Sequence, residues 1–213
     1  MPKNPITAYN ELLAHPKTFL SKYPIRIAGS DVPSSVVQYY IYNWDFGRSK
    51  RPDSVLRTLY MHDTEAFRID ACTPTGHPFR AHSIEMVQSN ITTGISFYTL
   101  PNTGGPDIMV TGVLSGCTFL VDAGPAPGSI MCAHLQPNGE TGAMLNARLL
   151  GLHAAVYGRN NYGHLHDPAN PGSFDRSVTI VGVRRNGQWK VYAQKLDGFA
   201  SWSVRSAHRI YPA

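Results

Sequence analysis

The chain has 213 residues, enough for one sizeable core, and 42% of them are hydrophobic, with 11 Tyr and 8 Phe, which excludes a disordered polymer. Net charge is +5, a mild attraction for acidic partners. The basic residues are dispersed, however, and the densest groups, Arg48–Arg51 and Arg184-Arg185, lack interleaved stacking aromatics, so no nucleic-acid groove is expected.

Three cysteines, Cys72, Cys117 and Cys132, are too few and too irregular for a disulfide framework, which points to a reducing place of action. No apolar run reaches membrane-spanning length. The first residues show no basic stretch followed by an apolar one. The expectation is therefore a soluble protein of one domain, residues 1–213, cytosolic or exported without a Sec signal.

In chain order, Ile6–Tyr23 carries Tyr9, Leu12, Leu13, Phe19 and Leu20 at helical spacing, predicting a helix interrupted near Pro16. Ser34–Trp44 is rich in β-branched and aromatic residues and predicts a strand. Ser54–His62 and Glu65–Gly76 predict a hairpin ending at the Pro74/Gly76 turn. Gly94–Leu100 and Asp107–Leu114 predict strands divided by the loop Pro101–Pro106.

Leu114–Leu135 holds two further strands around the turn AGPAPG. Glu140–Gly158 places Met144, Leu145, Ala147, Leu149, Leu152 and Val156 on an apolar face and predicts a helix started near Thr141. After a polar loop, Ser177–Leu196 is a hairpin about Asn186-Gly187, a favoured type I′ pair, and Ser201–Tyr211 supplies a last strand. The fold class expected is α+β: a mainly antiparallel β-sandwich flanked by a few helices and long loops.

The chemistry concentrates in the hairpin LSGCTFLVDAGPAPGSIMCAHL. A turn centred between Pro125 and Ala126 pairs Val121 with Ile130, Phe119 with Cys132, and Cys117 with His134. Opposed residues on one face have Cβ atoms about 4.5–5.5 Å apart, which suits activation of a thiol by an imidazole. Gly116 would let a substrate carbonyl approach the backbone, where N–H groups around Gly116 and Cys117 could receive an oxyanion, with Ser115 as a supporting neighbour. Two roles stand for Cys117 on these grounds: a nucleophile, or an inert thiol of the core. A zinc site from Cys117, Cys132 and His134 fails, because these residues do not complete a tetrahedron. His164, His166 and Asp167 read as a solvated loop, Cys132 as core, His153 as packed on a helix, and Asp122 as a turn-edge group.

Thr111–Cys117, TGVLSGC, with a histidine on the next strand, resembles the active-site signature of cysteine glutamine deamidase toxins. That family includes the Burkholderia lethal factor and the catalytic domain of cytotoxic necrotizing factor, with the chemoreceptor glutamine deamidases as fold relatives. The resemblance continues through YGRNNYG (Tyr157–Gly163) and the strands from Val178 onward, roughly the second half of the chain. Two departures stand out: the Cys-to-His connection is longer than in the lethal factor, and residues 1 to about 100 show no match.

The resemblance implies a triad of Cys117 as nucleophile, His134 as base, and Thr111 orienting the imidazole through its backbone carbonyl. It implies a bacterial toxin, a virulence factor acting in host cytosol without metal or organic cofactor. The substrate implied is a glutamine of a host protein, either the RNA helicase of translation initiation, with translation inhibition as the result, or a small GTPase. A monomer is expected. Two rivals remain: another thiol hydrolase, a peptidase or amidase, and a catalytically silent binding module with Cys117 in its core.

Overall fold

A computed structural model of the protein describes residues 4–28, 33–44, 58–63, 77–89, 94–163, 176–197 and 203–212. Two helices open it, α1 (Pro5–Ala14) and α2 (Pro16–Lys22), broken at His15 where Pro16 begins the second. Asn4 caps α1 by accepting from the backbone N–H groups of Ile6 and Thr7. The strands follow as β1 (Ile25–Ala28), β2 (Ser35–Trp44), β3 (Thr58–Asp63), β4 (His77–Ile84), β5 (Met86–Gln88), β6 (Tyr98–Leu100) and β7 (Ile108–Thr111). Next come β8 (Thr118–Ala123), β9 (Ile130–Gln136), α3 (Gly142–Leu149), β10 (Ala155–Tyr157) and α4 (Arg159–Tyr162). The chain closes with β11 (Arg176–Arg185), β12 (Gln188–Asp197) and β13 (Ser203–Tyr211).

These strands form two mixed sheets, ordered β1-β3-β2-β4-β7-β11-β12-β13 and β10-β8-β9-β5, with β6 also pairing to β9. Most pairings are antiparallel; β1/β3, β4/β7 and β5/β9 are parallel. The expected α+β sandwich is what the chain forms. Strand alternation explains the layering. On β11, Val181 and Val183 face α1 and α2, while Val178 and Ile180 face the second sheet and meet Phe119, Val121 and Cys132 there. The outer face of the smaller sheet, through Leu120, Ala133 and Leu135, receives Leu145 and Leu149 of α3. Helices, large sheet, small sheet and helix therefore stack in four layers.

The β11–β12 hairpin turns at Asn186 and Gly187, both at positive φ, with Arg185 opposite Gln188. The predicted helix over Glu140–Gly158 is shorter: α3 ends at Leu149, and Ala155–Tyr157 instead joins the small sheet beside β8. Met144 and Leu152, assigned to the apolar face by periodicity, stand exposed, as does Leu150. Asp122 stops the helix from continuing, because its carboxylate accepts from His153 Nδ1 at 2.6 Å and from Ala154 N at 2.8 Å. Gly94–Leu100 is strand only over its last three residues, and Asp107–Leu114 only over Ile108–Thr111, with Leu114 bridging singly to Val178. Glu65–Gly76, Cys72 included, lies outside the described residues, as do Arg48–Arg51 and the loop with His164, His166 and Asp167.

One of the basic residues taken as dispersed is internal. Arg184 donates to Asp107 Oδ1 at 2.8 Å and to the carbonyls of Pro101 and Gly105, and lies 5.5 Å from the centroid of the Trp189 ring. It fixes the loop leading into β7, and hence the position of Thr111.

Candidate active site

The β8–β9 hairpin pairs Phe119 with His134, Val121 with Cys132, and Ala123 with Ile130. The expected pairing of Cys117 opposite His134 is thus displaced by two residues. The turn accounts for it: Gly124 N donates to Ser129 O, and Ser129 N and Oγ both donate to Ala126 O. That centres the turn between Ala126 and Pro127, one residue later than symmetry about Pro125 suggests. A shift of two preserves side-chain parity. Cys117 stays on the His134 face, diagonal to it and just before β8 begins.

His134 is fully buried and faces the inter-sheet core from β9; Thr111 faces the same core from β7, in the other sheet. The Thr111 hydroxyl and His134 Nδ1 lie 2.7 Å apart, and the same hydroxyl lies 2.8 Å from the carbonyl of Ile84. A hydroxyl has one hydrogen and a carbonyl can only accept, so Thr111 donates to Ile84 and accepts from His134 Nδ1–H. The contact is made by the side chain, not by the backbone carbonyl that the resemblance implied. The physical reason is parity: alternation along β7 turns the Thr111 side chain toward β9.

This hydrogen-bond order fixes the tautomer. His134 carries its proton on Nδ1 and presents a bare Nε2 lone pair, which is buried and has no hydrogen-bond partner among the described residues. Burial holds the imidazole neutral, lowering its pKa to about 3.

Cys117 is 5% exposed. Its thiol donates to Met86 Sδ at 3.6 Å, not to His134. Met86 is itself the backbone partner of His134 across β5 and β9, so the sulfur rests beside the imidazole's neighbour. Burial raises the thiol pKa to about 11, while the backbone N–H groups of Ser115 and Gly116 act the other way and favour a thiolate. With those two values, the resting pair is neutral thiol and neutral imidazole. Tyr162 Oη donates to the carbonyl of Cys117 at 3.2 Å, and Arg159 Nη1 donates to the carbonyl of Ser115 at 3.3 Å, so α4 pins the turn carrying the thiol.

Of the residues singled out from sequence, Thr111 and His134 touch, Cys117 lies one pleat away, and Ser115 and Gly116 bear on the sulfur through their amides. Cys132 is core, opposite Val121. Among the described residues no His, Cys, Asp or Glu group is arranged to hold a metal ion. Sequence reasoning missed Ile84, Met86, Arg159 and Tyr162. Ile84 and Met86 flank Glu85, where the chain leaves β4 in the large sheet and enters β5 in the small one. The signal was a charged residue between two apolar ones in HSIEMVQ, the mark of a strand crossing a corner. No family model matches the chain, and no curated protein matches it. Among the described residues, no helix is long and apolar enough to cross a membrane.

Proposed function

We propose that the protein is a toxin-type cysteine glutamine deamidase acting on a glutamine side chain of another protein. The single observation that carries this reading is the His134 tautomer: Thr111 holds Nδ1–H, and Nε2 is left as a free base on the face that also bears Cys117. The resemblance of TGVLSGC to the deamidase toxins supports the choice of reaction.

In this reading the thiol leaves Met86 by rotation about its Cα–Cβ bond and gives its proton to His134 Nε2. The Ser115 and Gly116 amides stabilise the thiolate, as does the new imidazolium. The sulfur bonds to the carboxamide carbon, and ammonia departs with the proton from Nε2. Water, deprotonated by His134, then cleaves the thioester, leaving glutamate and the free thiol. Residues Cys117, His134 and Thr111 carry the chemistry, and Arg159 and Tyr162 hold the turn.

A second reading, a binding module with no turnover, rests on the burial of Cys117 and its contact with Met86. One experiment separates the two. Eukaryotic lysate is treated with the wild type or Cys117→Ser and searched by mass spectrometry for Gln-to-Glu conversion. Conversion by the wild type alone supports the deamidase. Identical peptide profiles, together with alkylation of Cys117 at the rate of a core thiol, establish the silent module. Cleaved chains instead of converted glutamines establish a peptidase.

A further inference from the structure

We propose that the cleft beside Cys117 seats a carboxylate-bearing stretch of the substrate, read by Arg159, so that the glutamine attacked is one with Asp or Glu close to it in space. This inference rests on the deamidase reading and adds the substrate class. The cleft has a volume of about 580 Å3. It lies between three segments: Ser115–Gly116, immediately before the thiol; Thr141–Ala143, beyond the strand that carries His134; and Arg159–Asn160 at the start of α4.

Its walls are small, and their spacing is built in. A Cβ on Gly142 would run into the carbonyl of Gly116, so the two walls touch at that point, whereas a Cβ on Gly116 would meet nothing within 4 Å. The first closes the cleft at one place, and the second leaves room for an extended chain along it.

The charge is one-sided. Among the described residues, Arg159 is the one charged side chain lining the cleft, and no acidic residue lines it. Among the described residues the guanidinium is engaged by neutral groups, the Ser115 carbonyl at 3.3 Å and the Tyr162 ring at 5.9 Å. A guanidinium has five N–H donors in a planar fork that matches a carboxylate, so these contacts hold its direction without exhausting its donors. The chain's net charge of +5 adds a general attraction for acidic partners. A cation bonded to the carbonyl two residues before the nucleophile, at the edge of a cleft of small side chains, selects among glutamines by the charge beside them.

The test uses the full-length protein and two reagents that differ in charge. Site-specific alkylation of Cys117 is timed with anionic iodoacetate and neutral iodoacetamide, in wild type, Arg159→Gln and Arg159→Lys. The iodoacetate-to-iodoacetamide rate ratio should fall about threefold to fivefold in Arg159→Gln, stay near wild type in Arg159→Lys, and lose its difference at high salt. A ratio unchanged by Arg159→Gln overturns the inference. Deamidated glutamines are then mapped in lysate for wild type and Arg159→Glu, and their structural neighbourhoods inspected for Asp and Glu. Loss of about tenfold or more in conversion by Arg159→Glu, beyond any change in its own iodoacetamide rate, supports it. Conversion at glutamines without acidic neighbours overturns it and leaves the deamidase standing. No conversion by the wild type overturns the deamidase reading, and with it the substrate class.

Discussion

Thr111 and His134 belong to different sheets, and their side chains meet at 2.7 Å across the space between them. The hydrogen bond thus orients the imidazole and ties the two layers, so its removal affects chemistry and stability together. Thr111→Val keeps the β-branched shape but strands His134 Nδ1–H and the Ile84 carbonyl. We expect a loss of about 1–3 kcal/mol in denaturant unfolding. Activity of the folded fraction should fall on the order of tenfold to a hundredfold, as expected when a general base is left unoriented. Thr111→Ser, which keeps the hydroxyl, should recover most of both. Nitrogen NMR of the imidazole should show Nδ1–H in wild type and Thr111→Ser, and a mixture of tautomers in Thr111→Val. A Thr111→Val protein with unchanged tautomer and full activity would return the role to the backbone.

Met86 is predicted to hold the thiol in its resting position. Met86→Leu keeps the volume but removes the sulfur acceptor, freeing Cys117 to turn toward His134 Nε2. Alkylation of Cys117 by iodoacetamide at neutral pH should accelerate severalfold, measured by intact mass against time. Unchanged rates would mean that burial, not the sulfur contact, sets the thiol's reactivity.

On the proposed deamidase mechanism, His134→Ala and Cys117→Ser separate base from nucleophile. His134→Ala should lower deamidation by about 10²–10⁴-fold and slow alkylation of Cys117. Cys117→Ser should fold with near-native stability and show no turnover. Cys132, fully buried opposite Val121, should resist alkylation until the protein unfolds. Equal labelling of Cys117 with and without His134 would show that the two never meet.

Stability should fall on acidification in a window set by two buried imidazoles. Burial lowers the pKa of His134 to about 3; burial, and then the charge of Arg184, lower that of His82 to about 4. Both groups ordinarily titrate near 6.5. Below that pH the unfolded chain takes up protons the folded protein refuses, so stability is complete above about 6.5 and is lost as pH falls toward the folded values. Each imidazole contributes a slope of about 1.4 kcal/mol per pH unit within its window. Urea titrations from pH 7 to pH 4.5 should show this slope, and His82→Gln should reduce it by one proton's worth. A flat profile would place water or a compensating charge at these imidazoles.

The elements with strong local signals were legible in the sequence. Pro16 splits two helices because it can begin a helix and cannot continue one. Asn186-Gly187 forces a tight hairpin because both residues accept positive φ. The face shared by Cys117 and His134 was legible because parity survives a two-residue slip. The register itself was not, since it depends on Ser129 bonding back to Ala126 within a Gly/Pro-rich turn. The length of α3 was also hidden, because Leu152 and Val156 continue a helical period that Asp122, thirty residues earlier, interrupts through His153 and Ala154. Met86 was invisible for a similar reason. Its importance comes from the strand it pairs with, and nothing within HSIEMVQ names β9 as that partner.

The crossing at Glu85 has a consequence for when the site exists. Ile84 supplies the carbonyl that orders Thr111, and Met86 the sulfur that parks Cys117, from opposite sides of a single residue. Each contact joins residues more than twenty apart in sequence, Ile84 with Thr111 in the large sheet and Met86 with Cys117 at the small one, and the Thr111–His134 contact then joins the two layers. Such non-local assembly is slow to nucleate and completes together. A chain with one layer formed and the other open has these side chains without the hydrogen bond that holds the His134 proton on Nδ1 and orients Nε2. The ordered thiol–imidazole arrangement on which the proposed mechanism rests therefore exists only in the finished sandwich.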